Sequence, residues 1–521
     1  MAPIVYHTDI SPPGRAVLLT ASALGLDVDV REVDIFAKQH LTKEFLKFNC
    51  GLYYYIRLKM SIFDNCLQSI NRMNRRKLII WGSAGTIAVI ILIIIIAVTT
   101  GSETTTVTRG SDALQNFPLI DGHNDLPNNL RMLIRNNVTA FHFESDLTND
   151  STWGSANCGS CFTDIPRLRK GKLGAQFWVA YVDCNRTQYK DAVAETFEQI
   201  DVIRKLIRKY PNDLQFVTAA DDIEVAFQNG KIGSLIGVEG GHSIDSRLGV
   251  LRTFYDLGVR YMTLTHTCNT PWADASPTAE AQTNNNLTEF GQVIVKEMNR
   301  LGMMVDLSHV SRQVMLDALN VSRAPVMFSH SSAFNITQHH RNVDDVVLEK
   351  VKENNGIVMV NFYPGFIAPK GTKDNTNIST VIEHINYIAN KIGVDYVGIG
   401  ADYDGVGQMP KGLDDVSKYP DLFDALHAGY SNLWSVANLE KLAGRNLVRV
   451  FKEVEKVRDN LSNEIPYDNW ISKEDLDKIE EVNTCRNPAD VANPQPQTTQ
   501  ITESTTVPST SVNTASSTNT I

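Results

Sequence analysis

The sequence predicts an α/β fold, a (β/α)8 barrel of the TIM type, in an ectodomain that follows a single transmembrane helix. Eight short apolar runs, at 117–120, 177–182, 234–238, 261–264, 303–305, 326–328, 357–360 and 397–399, recur along residues 113–470. Most are separated by stretches of helical period, at 192–209, 248–257, 290–301, 310–319 and 381–392. Such alternation builds a parallel sheet with crossover helices, and strands buried on both faces read as unbroken apolar runs. An open, doubly wound sheet shares the alternation and is the runner-up. The third observation is a run of 21 uncharged residues, 78–98, dense in Ile, Leu, Val and Ala. At a rise of about 1.5 Å per residue it matches the thickness of a bilayer core.

The chain has 521 residues and a net charge of −10 with its acidic residues scattered, so no basic footprint for nucleic acid is present. Taken in order, residues 1–49 read as a strand through Pro3-Ile4-Val5-Tyr6-His7, a helix opened by Ser11-Pro12-Pro13 and running to about Ala23, and a second strand at 28–33. This stretch resembles the start of an insect-type cytosolic glutathione transferase, with Ser11 matching the thiol-activating serine. The resemblance stops at Asn49, and a truncated βαβ piece cannot bury its own core, so it reads as a fusion or gene-model artefact. Met60 and Met73 are alternative starts.

Residues 50–77 form a basic segment in which Arg72, Arg75, Arg76 and Lys77 crowd the entrance to the 78–98 helix, whereas the next basic residue beyond it is Arg109. The positive-inside rule then leaves the N-terminus in the cytoplasm, a type II anchor with the catalytic side outside the plasma membrane. Sequons agree: Asn137, Asn149, Asn185, Asn286, Asn320, Asn335, Asn377 and Asn460 all follow the helix and none precedes it. Residues 99–112 read as a Ser/Thr/Gly linker and 471–521 as a Ser/Thr-rich disordered tail, which ends without the hydrophobic segment of a glycolipid signal.

In a (β/α)8 barrel the chemistry is built where strands finish, so the residues after each apolar run carry the information. The first run ends in His123-Asn124-Asp125, and residues two apart in an extended chain point to one side. The third run ends in Glu239, the fourth in His266, the fifth in His309, the sixth in His330 and the eighth in Asp402. An isolated histidine here is more often a hydrogen-bonded core group than a ligand. Several ionisable groups in one mouth are another matter, because burying them without a cation costs several kcal/mol each. Imidazole with carboxylate is the donor set of zinc and too nitrogen-rich for calcium or magnesium. Five or more candidates with a Glu able to bridge point to two metals rather than one. The lone Cys158-x-x-Cys161 pair reads as a local disulfide.

The stretches Leu119-Ile120-Asp121-Gly122-His123-Asn124-Asp125-Leu126-Pro127, Gly237-Val238-Glu239-Gly240-Gly241-His242, Thr263-Leu264-Thr265-His266-Thr267-Cys268, Asp306-Leu307-Ser308-His309 and Phe328-Ser329-His330-Ser331-Ser332 resemble the membrane (renal-type) dipeptidases, a branch of the binuclear-zinc amidohydrolase-like barrels. The resemblance implies two Zn²⁺ per subunit, one held by His123 and Asp125, the other by His309 and His330, with Glu239 bridging. It implies that His266 contacts the substrate near the scissile carbonyl, that Arg341 grips the substrate carboxylate and that Asp402 shuttles the proton. Asp121 then supports the strand end. Cys184 and Cys268 match a family disulfide, and Cys485 matches a cysteine joining two subunits of a homodimer. Two departures stand out: a second disulfide of mammalian relatives has Ile at position 336, and those relatives are held by a C-terminal glycolipid.

The expected activity is zinc-dependent hydrolysis of dipeptides at a membrane surface. A related barrel acting on another small amide or lactam is the competing enzyme, against which Arg341 and the length of the motifs argue. A retired barrel used as an inactive surface binding module would have lost a ligand, and none is missing.

Overall fold

The computed structural model describes residues 4–7, 29–32, 109–154, 157–184, 191–276, 286–369 and 371–477. It divides into two units, residues 1–106 and 107–521. In the first, β1 (Ile4–His7) and β2 (Asp29–Glu32) pair in parallel, Val5 opposite Val30. Ser11, the expected 78–98 helix and Cys485 lie outside the described residues. Among the described residues, no helix is long and apolar enough to cross a membrane.

In the second unit every predicted apolar run becomes a strand: β3 (Leu119–Asn124), β4 (Leu173–Tyr181), β6 (Ile232–Glu239), β7 (Val259–Thr263), β8 (Met304–Asp306), β9 (Met327–Phe328), β10 (Ile357–Val360) and β11 (Val397–Ile399). All neighbours are parallel, and the sheet runs β4-β3-β11-β10-β9-β8-β7-β6. A parallel β4–β6 ladder from Ala175↔Gly233 to Tyr181↔Glu239 closes the circle, which an open doubly wound sheet lacks. A ninth strand, β5 (Leu214–Phe216), pairs with the first residues of β6. Its three residues were too short a run to stand out in the sequence.

Crossover helices start at identifiable caps. Ser311 Oγ accepts from Val314 N at the head of the helix Arg312–Val321, and Asp344 accepts from Val346 N at 2.9 Å at the head of Asp345–Glu353. Strands bury both faces, one against these helices and one inside the barrel. Within the barrel the Tyr261 ring crosses from β7 so that its hydroxyl donates to Gly122 O on β3 at 3.1 Å. Gly237 makes room for it, since a Cβ there would collide with the Tyr261 ring.

The folded unit extends past the expected 113–470 at both ends. Gly110 and Ser111, assigned to the linker, are buried, because Gly110 lies against the Phe423 carbonyl and Ser111 N donates to Asp424 Oδ1 at 2.8 Å. At the other end Ile471 and Leu476, assigned to the tail, are buried in the apolar core, and Lys473–Asp477 is helical. A polar composition hid these few anchoring residues.

Candidate metal centre

All seven candidates from the strand ends gather at the C-terminal mouth of the barrel. Glu239 is the last residue of β6, and its Oε1 is the hub: His309 Nε2 lies at 3.0 Å, His330 Nε2 at 3.4 Å and His123 Nε2 at 3.5 Å. On one side His123 Nε2 faces Asp125 Oδ2 at 3.2 Å and Asp402 Oδ1 at 4.0 Å. On the other, His309 Nε2 and His330 Nε2 stand 2.9 Å apart. His123, Asp125, Glu239, His309, His330 and Asp402 are all buried, whereas His266 is half-buried at the rim, its ring 4.4 Å from that of His309.

Local backbone aims these groups. Asp125 stands at the residue before the helix Leu126–Ile134 with its side chain left out of the helix's hydrogen bonding, while His309 and Asp402 adopt positive φ of 68° and 67°, a strained conformation typical of functional sites. Gly405 is held against the cluster so closely that a Cβ would collide with Asp125 Oδ2 and Asp402 Oδ1. Asp121 points away from the mouth. Its Oδ1 accepts from His123 N at 3.1 Å and Ala401 N at 3.0 Å, and its Oδ2 from the Tyr419 hydroxyl, so it pins the ends of β3 and β11 together.

The residues fit metal ions on their donor chemistry. His123 Nδ1 lies 3.1 Å from Tyr261 Oη, whose own proton goes to Gly122 O, so that ring nitrogen donates and Nε2 faces the carboxylates. Burial opposes charge on the ring, but Glu239 and Asp125 outweigh it and hold His123 well above the usual imidazole range, positive charge being favoured where a cation would sit. That Nε2 has no hydrogen-bond partner, and neither has Asp125 Oδ1. Burial, reinforced by Arg341, holds His309 and His330 well below the usual imidazole range, so two neutral rings turn toward each other. A cation between such lone pairs removes the conflict.

The protonation balance divides the carboxylates. Burial opposes the charge on Glu239, but His123 above all, with hydrogen bonds from His123 and His309, outweighs it and holds that carboxyl well below its ordinary range. Burial pushes Asp402 up to about 7, with Asp125 and Glu239 adding to the rise and His123 opposing it. Asn361 Nδ2 donates to Asp402 Oδ2 at 2.9 Å and fixes the carboxyl's orientation. Burial depresses His266 to about 4, leaving a neutral ring beside Tyr181, centroids 4.9 Å apart.

Arg341 is buried on the loop after β9, its guanidinium 5.1 Å from the centre of the Phe366 ring. Its hydrogen bonds are long, 3.5 Å to Ser331 Oγ and 3.4 Å to His330 O, and its Nε has none. Among the described residues no carboxylate pairs with it, so the fork is free for an anionic ligand. Cys184 and Cys268 are bonded, and Cys184 Sγ lies 3.9 Å from His266 Nδ1, tying the loop of His266 to the end of β4. Cys158 and Cys161 form the local disulfide expected of them.

Several residues escaped the sequence reading: Tyr261, Asp306, Ser329, Asn361, Gly405 and Asp404. Asp404, buried at a φ of 67°, accepts from Thr163 Oγ1, Asn124 Nδ2 at 3.3 Å and Phe162 N at 3.3 Å. Its place two residues after Asp402 was the only signal available.

The family model described as membrane dipeptidase (peptidase family M19) matches residues 107–465. An uncharacterized dipeptidase of Schizosaccharomyces pombe is 44% identical over 371 residues, which cover 68% of this chain and 85% of that protein. Among solved structures, a metallo peptidase from Rhodobacter sphaeroides liganded with a phosphinate mimic of L-Ala-D-Ala superposes with a TM-score of 0.55 at 23% identity, covering 65% of this chain and 99% of its own. A dipeptidase of the M19 metallopeptidases gives 0.56 at 24% identity, covering 65% and 98%. These two likenesses concern the fold.

Proposed function

Because the chain belongs to the membrane dipeptidase family and is thereby a metallo-dipeptidase, we propose that it hydrolyses the peptide bond of free dipeptides with two zinc ions at the barrel mouth. The observation that carries this reading is Glu239 Oε1, lying within 3.5 Å of the Nε2 atoms of His123, His309 and His330 at once. His123 and Asp125 would hold one ion, His309 and His330 the other, and Glu239 both. When bound, the ions supply Lewis acidity and bring the pKa of water from 15.7 down towards ~7.

The remaining steps belong to side chains. Arg341 binds the substrate carboxylate as a bidentate fork, which selects a short peptide with a free C-terminus over the interior of a protein. His266, neutral and at the rim, donates to the scissile carbonyl oxygen as charge develops there. Asp402, its carboxyl raised by burial and held by Asn361, can take a proton from water and return it to the leaving amine. An inactive binding module has no support at this site, since every expected donor stands in place.

For the anchoring we propose, from the sequence, that residues 78–98 cross the plasma membrane with the N-terminus inside and the catalytic domain outside, and, from the family resemblance, that Cys485 links two subunits. Seven of the eight sequon asparagines are among the described residues, and all seven are exposed, as glycosylation requires.

The test is to measure bound metal and the turnover of a dipeptide panel with and without a chelator. Two zinc ions and chelator-sensitive turnover are expected. Glu239→Ala should abolish turnover and lose full metal loading; retained activity removes Glu239 from the bridge.

A further inference from the structure

The turn after β9 carries three serines around His330, and their hydroxyls are not interchangeable. Ser329 Oγ lies 2.6 Å from Asp306 Oδ2 and 2.7 Å from His330 Nδ1. A hydroxyl has one proton, and the short contact to a buried carboxylate takes it, Ser308 Oγ standing farther off at 3.4 Å and the Tyr261 hydroxyl being a neutral partner. The Ser329 oxygen therefore accepts from His330 Nδ1–H. That fixes the tautomer and leaves the His330 Nε2 lone pair toward Glu239 and His309.

Ser331 faces the other way. Its backbone N–H donates to Met359 O at 2.9 Å, which locks it to β10, and its Oγ lies 3.2 Å from Ser308 Oγ and 3.5 Å from Arg341 Nη1. Arg341 Nη2 also donates to the carbonyl of His330 at 3.4 Å. One tripeptide, Ser329-His330-Ser331, thus touches both the metal centre and the guanidinium.

We propose that Ser329 and Ser331 are positioning residues with separate duties: Ser329, relaying from Asp306, sets the metal affinity of His330, while Ser331 orients Arg341 and sets the affinity for the substrate carboxylate. The inference rests on the two-metal reading above. It also explains why Asp306 is buried without touching the metal centre: its second oxygen serves Ser329 and, at 2.6 Å, Thr263 Oγ1.

The test compares wild type, Ser329→Ala, Ser329→Thr and Ser331→Ala in the full chain, reading zinc retention against a competing chelator together with kcat and KM for one dipeptide. Ser329→Ala should weaken one of the two ions by about 10- to 100-fold and leave the other unchanged, the usual effect of removing a ligand's outer partner. Ser329→Thr, which restores a hydroxyl, should recover the lost affinity. Ser331→Ala should keep wild-type zinc affinity and raise KM several-fold with kcat little altered. Should Ser329→Ala not accumulate as folded protein, Ser329→Cys preserves the volume with a poor acceptor and gives the same readout. A wild type that loads two ions beside a Ser329→Ala variant that holds both as tightly overturns this proposal alone, as does a Ser331→Ala variant with unchanged KM. A wild type that binds no zinc overturns the two-metal reading and this one together.

Discussion

At the β3/β11 corner Asp121 pairs across the strands with Ile399, and its Oδ1 collects the N–H of His123 and that of Ala401. At the β8/β9 corner Asp306 pairs with Met327, and its Oδ1 collects the N–H of Ser308 at 3.1 Å and that of Ser329 at 2.8 Å. In both, one carboxylate oxygen takes a donor two positions further along each strand than the paired residues. The second oxygens differ. That of Asp121 meets the Tyr419 hydroxyl, a scaffold contact from the start of the helix Tyr419–Tyr430, and His123 takes its tautomer from Tyr261 instead. That of Asp306 meets Ser329 and, through it, His330. The same clamp closes the barrel mouth on both sides, and on one side only is it wired to a ligand.

Substitution at the clamps themselves separates the two corners most sharply. Asp306 accepts four hydrogen bonds and Asp121 three, all in the interior, and an amide cannot accept at both of its ends. Asp306→Asn is expected to cost about 3–5 kcal/mol and Asp121→Asn about 2–3 kcal/mol in urea unfolding of the chelated protein. Equal losses would mean that the extra wiring of Asp306 carries no weight.

A somewhat smaller effect concerns the carboxylate behind the β3/β11 corner. Burial raises Asp404 from the ordinary 3.8 to about 6, against the hydrogen bond from Thr163. A raised folded-state value favours the protonated form, so its contribution is complete below about pH 4 and is lost as pH rises through 6. Relative to Asp404→Asn, the chelated wild type should lose about 3 kcal/mol between pH 4 and 7, read from urea midpoints at each pH. A difference that does not vary with pH would place Asp404 in a better-solvated setting than its burial implies.

The smallest effect isolates the His123 side. Tyr261→Phe removes the acceptor of His123 Nδ1–H, and it should weaken the ion held by His123 by about tenfold, roughly 1.4 kcal/mol, with the His309/His330 ion unaffected. Chelator competition monitored ion by ion reads the result. Weakening of both ions would show that the two sides are coupled through Glu239 more strongly than through their own supports.

The barrel was legible because each strand is buried on both faces and so prints as an unbroken apolar run, 357–360 and 397–399 appearing with the same bounds as β10 and β11. The helices Ala220–Gln228, Asp345–Glu353 and Tyr419–Tyr430 were less legible, since an amphipathic helix spreads its apolar residues among charged ones. His123, Asp125, Glu239, His266, His309, His330 and Asp402 could be singled out because a polar group directly after an apolar run must lie at the mouth once the fold is a barrel.

The succession of strands along the chain, the His, Asp and Glu at their ends and the motifs that tie the chain to its family are local features, and so they stand in the sequence alone. Which groups serve those residues emerges with the folded barrel. Tyr261 stands 138 positions from His123, Ser329 stands 23 from Asp306, and Gly405 follows Asp402 with no sign that it must lie against Asp125. The physical reason is closure of the sheet. Distances across a barrel depend on register and on which strand lies opposite, and neither is written in the local pattern of any one strand.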